Sequence, residues 1–173
     1  MIVIETERLQ LRYLSADDAP FIVELLNDPD WLRFIGDKSV RKIGDAHAYL
    51  RDGPIAMYAR EGFGLYLVVL KTSGEPIGLC GLIRRSGLVD VDIGFAFLPA
   101  FRGSGYALES AAAVLAHGRD NLGLERIVAI TTVDNERSIR VLERLGLVRE
   151  QSVRLPGDDQ ALQLYAWRQD ARP

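Results

Sequence analysis

Val89-Asp90-Val91-Asp92-Ile93-Gly94-Phe95-Ala96-Phe97, followed after four residues by Arg102-Gly103-Ser104-Gly105-Tyr106-Ala107, decides the fold. Apolar side chains at Val89, Val91, Ile93, Phe95 and Phe97 alternate with Asp90, Asp92, Gly94 and Ala96, the period of a strand. From Gly105 to about Leu122 the pattern becomes helical. Between them lies a glycine turn, which closes tightly and leaves backbone N–H groups uncovered. The first N–H groups of a helix lack internal partners and sit at the positive end of its dipole, so such a turn suits a phosphate. The same glycines also serve a plain entry into a helix. Tyr106-Ala107 stands where a P-loop needs Lys-Ser or Lys-Thr. A dinucleotide fold would place the turn after its first strand, and here it follows a meander.

Working outward, Leu9, Leu11 and Tyr13 alternate with polar neighbours and predict a strand over Glu7 to Tyr13. Ser15 and Asp18 form a capping-box pattern before a helix bearing Phe21, Ile22, Leu25 and Leu26, which Asn27-Asp28-Pro29 is expected to stop. A second helix follows Gly44, breaks at Gly53-Pro54, and gives a further turn or two to Arg60. Strands are expected at Leu65–Leu70 and Ile77–Ile83, joined by the turn Thr72-Ser73-Gly74-Glu75. After the glycine-turn helix come a strand at Ile127–Val133, a helix from Asn135 to Leu145 ending at Gly146, and a strand at Leu162–Trp167. An antiparallel meander followed by strand–helix units is α+β (mixed α/β) architecture. No repeat or linker divides residues 1–173, so one domain is expected.

Composition narrows the function. At 48% apolar and 26% charged residues the chain is globular rather than disordered. Lys plus Arg is 21 against 24 Asp plus Glu, so a nucleic-acid partner is not expected. One cysteine, Cys80, and two histidines, His47 and His117, exclude an internal disulfide and a multi-thiolate zinc site, and no metal is expected. Met1-Ile2-Val3-Ile4 is too short for a signal peptide, and the Leu65–Leu70 run falls far below a membrane span of ~20 residues. A cytoplasmic protein without a membrane partner is the expectation.

Several side chains could carry chemistry. The face bearing Asp90, Asp92, Gly94 and Ala96 reads either as a solvated surface or as a cleft wall with a proton-accepting carboxylate. In the last helix Asn135, Ser138, Val141, Leu142 and Leu145 share one face. Asn135 there is either a helix N-cap or a ligand-binding amide. Arg137, Arg140 and Arg144 read as a solvated face with a Glu136–Arg140 pair, or as a site for a phosphate. Cys80, on a strand apolar on both faces, reads as a buried inert thiol. His47 falls in the second helix, and Trp31, Arg33 and Phe34 in the loop after the first helix.

Arg102, Gly105 and Ala107 match the signature Gln or Arg, two residues, Gly, one residue, Gly or Ala. On that match the chain resembles the GNAT superfamily of acetyl-CoA-dependent N-acetyltransferases. Thr6-Glu7-Arg8-Leu9, Asn27-Asp28-Pro29 to Ile35-Gly36, Ile93 to Pro99 with Leu108-Glu109, and Asn135 to Gly146 resemble its ribosomal-protein N-terminal acetyltransferase (Rim-type) branch. The resemblance implies a twisted, mostly antiparallel sheet splayed at its centre with helices on both faces. It implies that the backbone of Arg102, Gly103, Ser104, Gly105, Tyr106 and Ala107 holds the pyrophosphate of acetyl-CoA. Phe95, Ala96, Phe97 and Asn135 would then hold the pantetheine arm, with backbone N–H groups near Phe95 steadying the oxyanion. Asp92 occupies the position where the branch often has Glu as base, and Ser138 that of the hydroxyl serving the departing thiolate. Leu142 stands where many members have Tyr. The resemblance further implies that the regions holding His47 and Trp31, Arg33 and Phe34 would shape the entry of an acceptor. The implied reaction is direct attack on acetyl-CoA by a primary amine, either a protein N-terminus or a small molecule, from a monomer or homodimer. The alternative is a GNAT-like module that binds acyl-CoA without turnover.

Overall fold

Leu65–Leu70 (β3) and Pro76–Ile83 (β4) lie at the middle of the sheet because they are apolar on both faces. Tyr66, Val68, Ile77, Cys80 and Leu82 point into one core, while Leu67, Val69 and Leu79 point into the other. The computed structural model describes residues 1–169; residues 170–173, the end of the expected domain, lie outside the described residues. The other strands are β1 (Ile2–Glu5), β2 (Leu9–Arg12), β5 (Asp92–Phe97), β6 (Arg126–Thr131), β7 (Val148–Val153) and β8 (Leu162–Arg168). Their spatial order is β1-β2-β3-β4-β5-β6-β8-β7. Neighbours are antiparallel except β5 and β6, which run parallel and share one register pair, Asp92 with Val128. Beyond that pair the strands part, and the sheet is splayed at its centre.

Helices cover both faces. On one side lie α1 (Ala19–Leu26) and α3 (Ile43–Leu50), which bury Phe21, Ile22, Leu25, Leu26, Ala46 and Leu50 against Leu67 and Leu79. Each such large apolar side chain contributes about 1.5–3 kcal/mol on burial. Between them is the short α2 (Pro29–Phe34), and α4 (Ala56–Glu61) follows α3. On the other side α5 (Tyr106–Asp120) sets Ala111, Val114 and Leu115 against β4 and β5, and α6 (Glu136–Arg144) adds Leu142. Gly81 permits the close stacking at the centre: a Cβ there would lie 2.1 Å from the Gly64 carbonyl oxygen.

Four local expectations are corrected. Asn27-Asp28-Pro29 ends α1 at Leu26 as expected, but Pro29 also opens the unanticipated α2 at N1, with the Asp28 side chain accepting from the Trp31 N–H as N-cap. Trp31, Arg33 and Phe34 are therefore helical, not in a loop. Gly53-Pro54 does not break the chain either, because a π-helical turn over Arg51–Ile55 carries α3 into α4. The Val89–Phe97 strand begins only at Asp92, and the first strand spans only Leu9–Arg12, with β1 and β7 unanticipated. Among the described residues no helix is long and apolar enough to cross a membrane.

Candidate active site

The glycine turn enters α5 with Gly103 at φ 81° and Gly105 at φ 83°, left-handed values that side chains disfavour. The first α5 amide with a backbone partner is that of Glu109, which donates to the Gly105 carbonyl at 3.0 Å. The N–H groups of Gly103 through Leu108 donate to no acceptor among the described residues. A run of free donors at the positive end of a 15-residue helix favours an anion.

A brace from the chain's start fixes this turn. The Glu109 carboxylate accepts from the Thr6 hydroxyl at 2.6 Å, the Arg8 N–H at 3.0 Å and Arg8 Nε at 2.6 Å. Burial pushes the Glu109 carboxyl up, but these bonds outweigh it and hold its pKa below the usual range. Arg8 Nη1 also donates to the Ser104 carbonyl at 2.9 Å, and its guanidinium lies over the Tyr106 ring.

From the turn a cleft of about 430 Å³ runs between the parted strands. Ile93 through Phe97 form one wall, Ala129, Ile130 and Thr131 the other, and α2 and α6 border it. Such a volume suits a small-molecule site. On the cleft wall Asp92, 1% exposed, takes a hydrogen bond from Arg85 Nε. Burial pushes its carboxyl up to about 6, against the pull of the Arg85 guanidinium. The face bearing Asp92 is thus not a solvated surface; Asp92, Gly94 and Ala96 all line the cleft.

On α6, Asn135 is the N-cap, its side-chain oxygen accepting from the Ser138 N–H at 3.3 Å. Asn135, Ser138, Val141 and Leu142 all line the cleft, so the expected face is the one turned toward it, and Leu142 with Leu145 also packs against the core beneath. The Ser138 hydroxyl has no protein partner among the described residues. Arg137, Arg140 and Arg144 border the cleft rather than form a detached surface, and Arg140 reaches Glu136 at 3.2 Å.

The Arg102 side chain turns away from the free amides. Its Nη2 and Nη1 bind Asp28 at 2.6 Å and Asp30 at 2.8 Å, and its Nε donates to the Phe97 carbonyl at 3.1 Å. Asp30 also pairs with Arg137, so α2 is tied across the cleft to α6. The Arg102 N–H is also committed, donating to the Pro99 carbonyl at 3.3 Å, so the expected place of Arg102 among the free donors is corrected: that run starts at Gly103.

Cys80 is fully buried and its thiol is pushed up to about 12 by burial, as an inert core residue requires. Neither His47 nor His117 lines the cleft. Among the described residues no group of three His, Cys, Asp or Glu could hold a metal ion. Sequence reasoning missed Arg85, Asp28, Asp30 and the brace of Arg8 and Glu109. The first lies in a connection with no motif. The spacing Asp28-Pro29-Asp30, a helix start as well as the stop of the helix before it, could have found the next two.

A family model described as an acetyltransferase (GNAT) domain matches residues 8–148. A relative named an uncharacterized N-acetyltransferase, YnaD of Bacillus subtilis, is 28% identical over 147 residues, covering 85% of this chain and 83% of its own. The solved structure of a GNAT-family acetyltransferase from Bacillus anthracis superposes with a TM-score of 0.79 at 25% identity, over 97% of this chain and 98% of that one. RimL, a ribosomal L7/L12 alpha-N-protein acetyltransferase in complex with coenzyme A, shares the fold with a TM-score of 0.83 at 22% identity, over 99% of this chain and all of that one. Strands β2 to β6, with the splay between β5 and β6, and the glycine turn at the head of α5 thus lie within a stretch matched by a single family, and the chain belongs to the acetyltransferase (GNAT) family, as an N-acetyltransferase of the kind that uses acetyl-CoA.

Proposed function

We propose that residues 1–173 form a single acetyltransferase domain that moves the acetyl group of acetyl-CoA to a primary amine in a ternary complex. The observation that carries this reading is the run of unpartnered amides from Gly103 through Leu108 in a turn that lines the cleft. Those of Gly103, Ser104, Gly105, Tyr106 and Ala107 form the cradle for the pyrophosphate, whereas the Arg102 amide is spent on the Pro99 carbonyl at 3.3 Å. The parted β5 edge at Phe95, Ala96 and Phe97, and the amide of Asn135, would hold the pantetheine arm.

In the transfer a C–N bond forms as the C–S bond breaks, and the amine must shed a proton. Asp92, with a carboxyl near neutrality and a place on the cleft wall, is suited to take that proton directly or through water. The unpartnered Ser138 hydroxyl is suited to donate to the departing thiolate. Leu142 is buried in the core and takes no part.

The Rim-type branch is the reading within the family, supported by the segments Thr6–Leu9 and Ile93–Pro99 and by the fold shared with RimL. It gives a protein N-terminal amine as one acceptor and a small amine as the other. Calorimetric titration with acetyl-CoA, with ATP and NAD as controls, tests the cofactor site. Micromolar binding of acetyl-CoA alone is expected, and equal binding of ATP would overturn it. Release of CoA thiol on adding amines tests turnover.

A further inference from the structure

The acceptor end of the cleft has more hydrogen-bond donors than the proposed chemistry uses. Arg85, on the β4–β5 connection and 31% exposed at its side chain, spends only Nε on Asp92. Its two terminal nitrogens have no protein partner among the described residues, and the residue lines the cleft. Trp31 of α2 lines the same cleft with its indole N–H buried and without an acceptor.

No carboxylate on the cleft wall is left over to balance them. Asp28 is held by Arg102, Asp30 by Arg102 and Arg137, and Asp92 by Arg85. Asp90, just before β5, is held by Arg126 at 3.0 Å. A polyamine or an aminoglycoside would bring several cations to a wall whose every carboxylate already has an arginine. A carboxylate on the acceptor would instead find the free edge of a guanidinium, the geometry that suits a two-point bond.

Resting on the transfer reading above, we propose that the acceptor carries a carboxylate close to its reactive amine and that Arg85 selects it. With the amine directed to Asp92, the terminal nitrogens of Arg85 lie one hydrogen bond away from the same carboxylate and reach the neighbouring group of the acceptor. Two sources share this chemistry: the α-carboxylate of a free amino acid, and an acidic side chain next to a peptide's N-terminus.

The test is CoA-thiol release by the wild-type chain with matched acceptor pairs. One arm compares free amino acids with their primary amides, and a second compares Ser-Asp-amide with Ser-Asn-amide; spermidine is the polycation control. In at least one arm kcat/KM for the acid should exceed that for its neutral partner by roughly ten- to a hundred-fold, the value of a charge-assisted bond. Whichever arm carries the preference names the source. Arg85→Gln should collapse the ratio, mainly through KM of the acid, and Arg85→Lys should restore part of it. Because the ratio is taken within one variant, any effect of Arg85 on Asp92 cancels. Equal rates for acid and amide, a preference for spermidine, or an acid preference that survives in Arg85→Gln overturns the proposal while leaving amine transfer standing. No release with any amine, with acetyl-CoA still bound, overturns both.

Discussion

Asp28 and Arg102 are 74 positions apart in the chain and meet at 2.6 Å, so the N-cap of α2 is also the counter-ion of the glycine turn. The Asp28 side chain is 6% exposed and does two things at once: it caps α2 and anchors the residue that opens the glycine turn. The two halves of the cleft are therefore coupled by one carboxylate. Asp28→Ala should cost about 2–3 kcal/mol, from a lost cap and a broken buried pair. For a chain of this size that lowers Tm by roughly 5–10 °C in scanning calorimetry. Asp28→Asn keeps the cap and should lose less; equal losses would mean the charge does nothing.

The pH profile follows from Asp92. Its carboxyl must be ionised to accept a proton, and burial holds its pKa at about 6. The rate of transfer should fall as pH drops through about 6. Arg85 pulls that pKa down, so Arg85→Gln should move the acidic limb to higher pH. Asp92→Asn should lower kcat by about a hundred-fold or more and remove the limb, with acetyl-CoA affinity unchanged in titration. An unaltered limb in Asp92→Asn assigns it to another group.

Gly105 stands at φ 83°, and a Cβ there would lie 3.4 Å from Arg8 Nη2. Gly105→Val places a β-branched residue in left-handed backbone, a strain of about 1–2 kcal/mol that the turn relieves by changing shape. The dissociation constant for acetyl-CoA should rise by roughly ten-fold or more, read by calorimetry. Unchanged affinity would remove the turn from the cofactor site.

Ser138 has a hydroxyl on the cleft and an N–H committed to Asn135. Ser138→Ala leaves the N–H bond in place, so acetyl-CoA affinity and Tm should hold. Loss of the hydroxyl should lower kcat by roughly ten- to a hundred-fold. Steady-state rates equal to wild type would show that the thiolate leaves unaided.

Much of this architecture was legible because it rests on patterns with a period. The alternation at Ile93, Phe95 and Phe97, the glycines at 103 and 105, and the helix after them gave the strand, the glycine turn and α5. β7 escaped because Val148-Arg149-Glu150-Gln151-Ser152-Val153 is a mostly exposed edge strand with no buried face to impose alternation. α2 escaped because Pro reads as a stop after one helix and as a start before the next, and only Asp28 distinguishes them. Asp92 could be placed on a face, but its burial and its arginine came from a residue in an unpatterned connection. Long-range pairs such as Arg8 with Glu109 leave no periodic trace at all.

The lone register pair between Asp92 and Val128 has a mechanical consequence. It divides the sheet into a plate of five strands, β1 to β5, and a plate of three, β6, β8 and β7, joined along the chain's middle by a single rung. Amide hydrogen exchange should register the two plates as separate opening units, with the fastest protected amides at the seam. Whatever fills the gap splints one plate to the other, so ligand binding should slow exchange in β6 and β8 as well as in the turn that touches it.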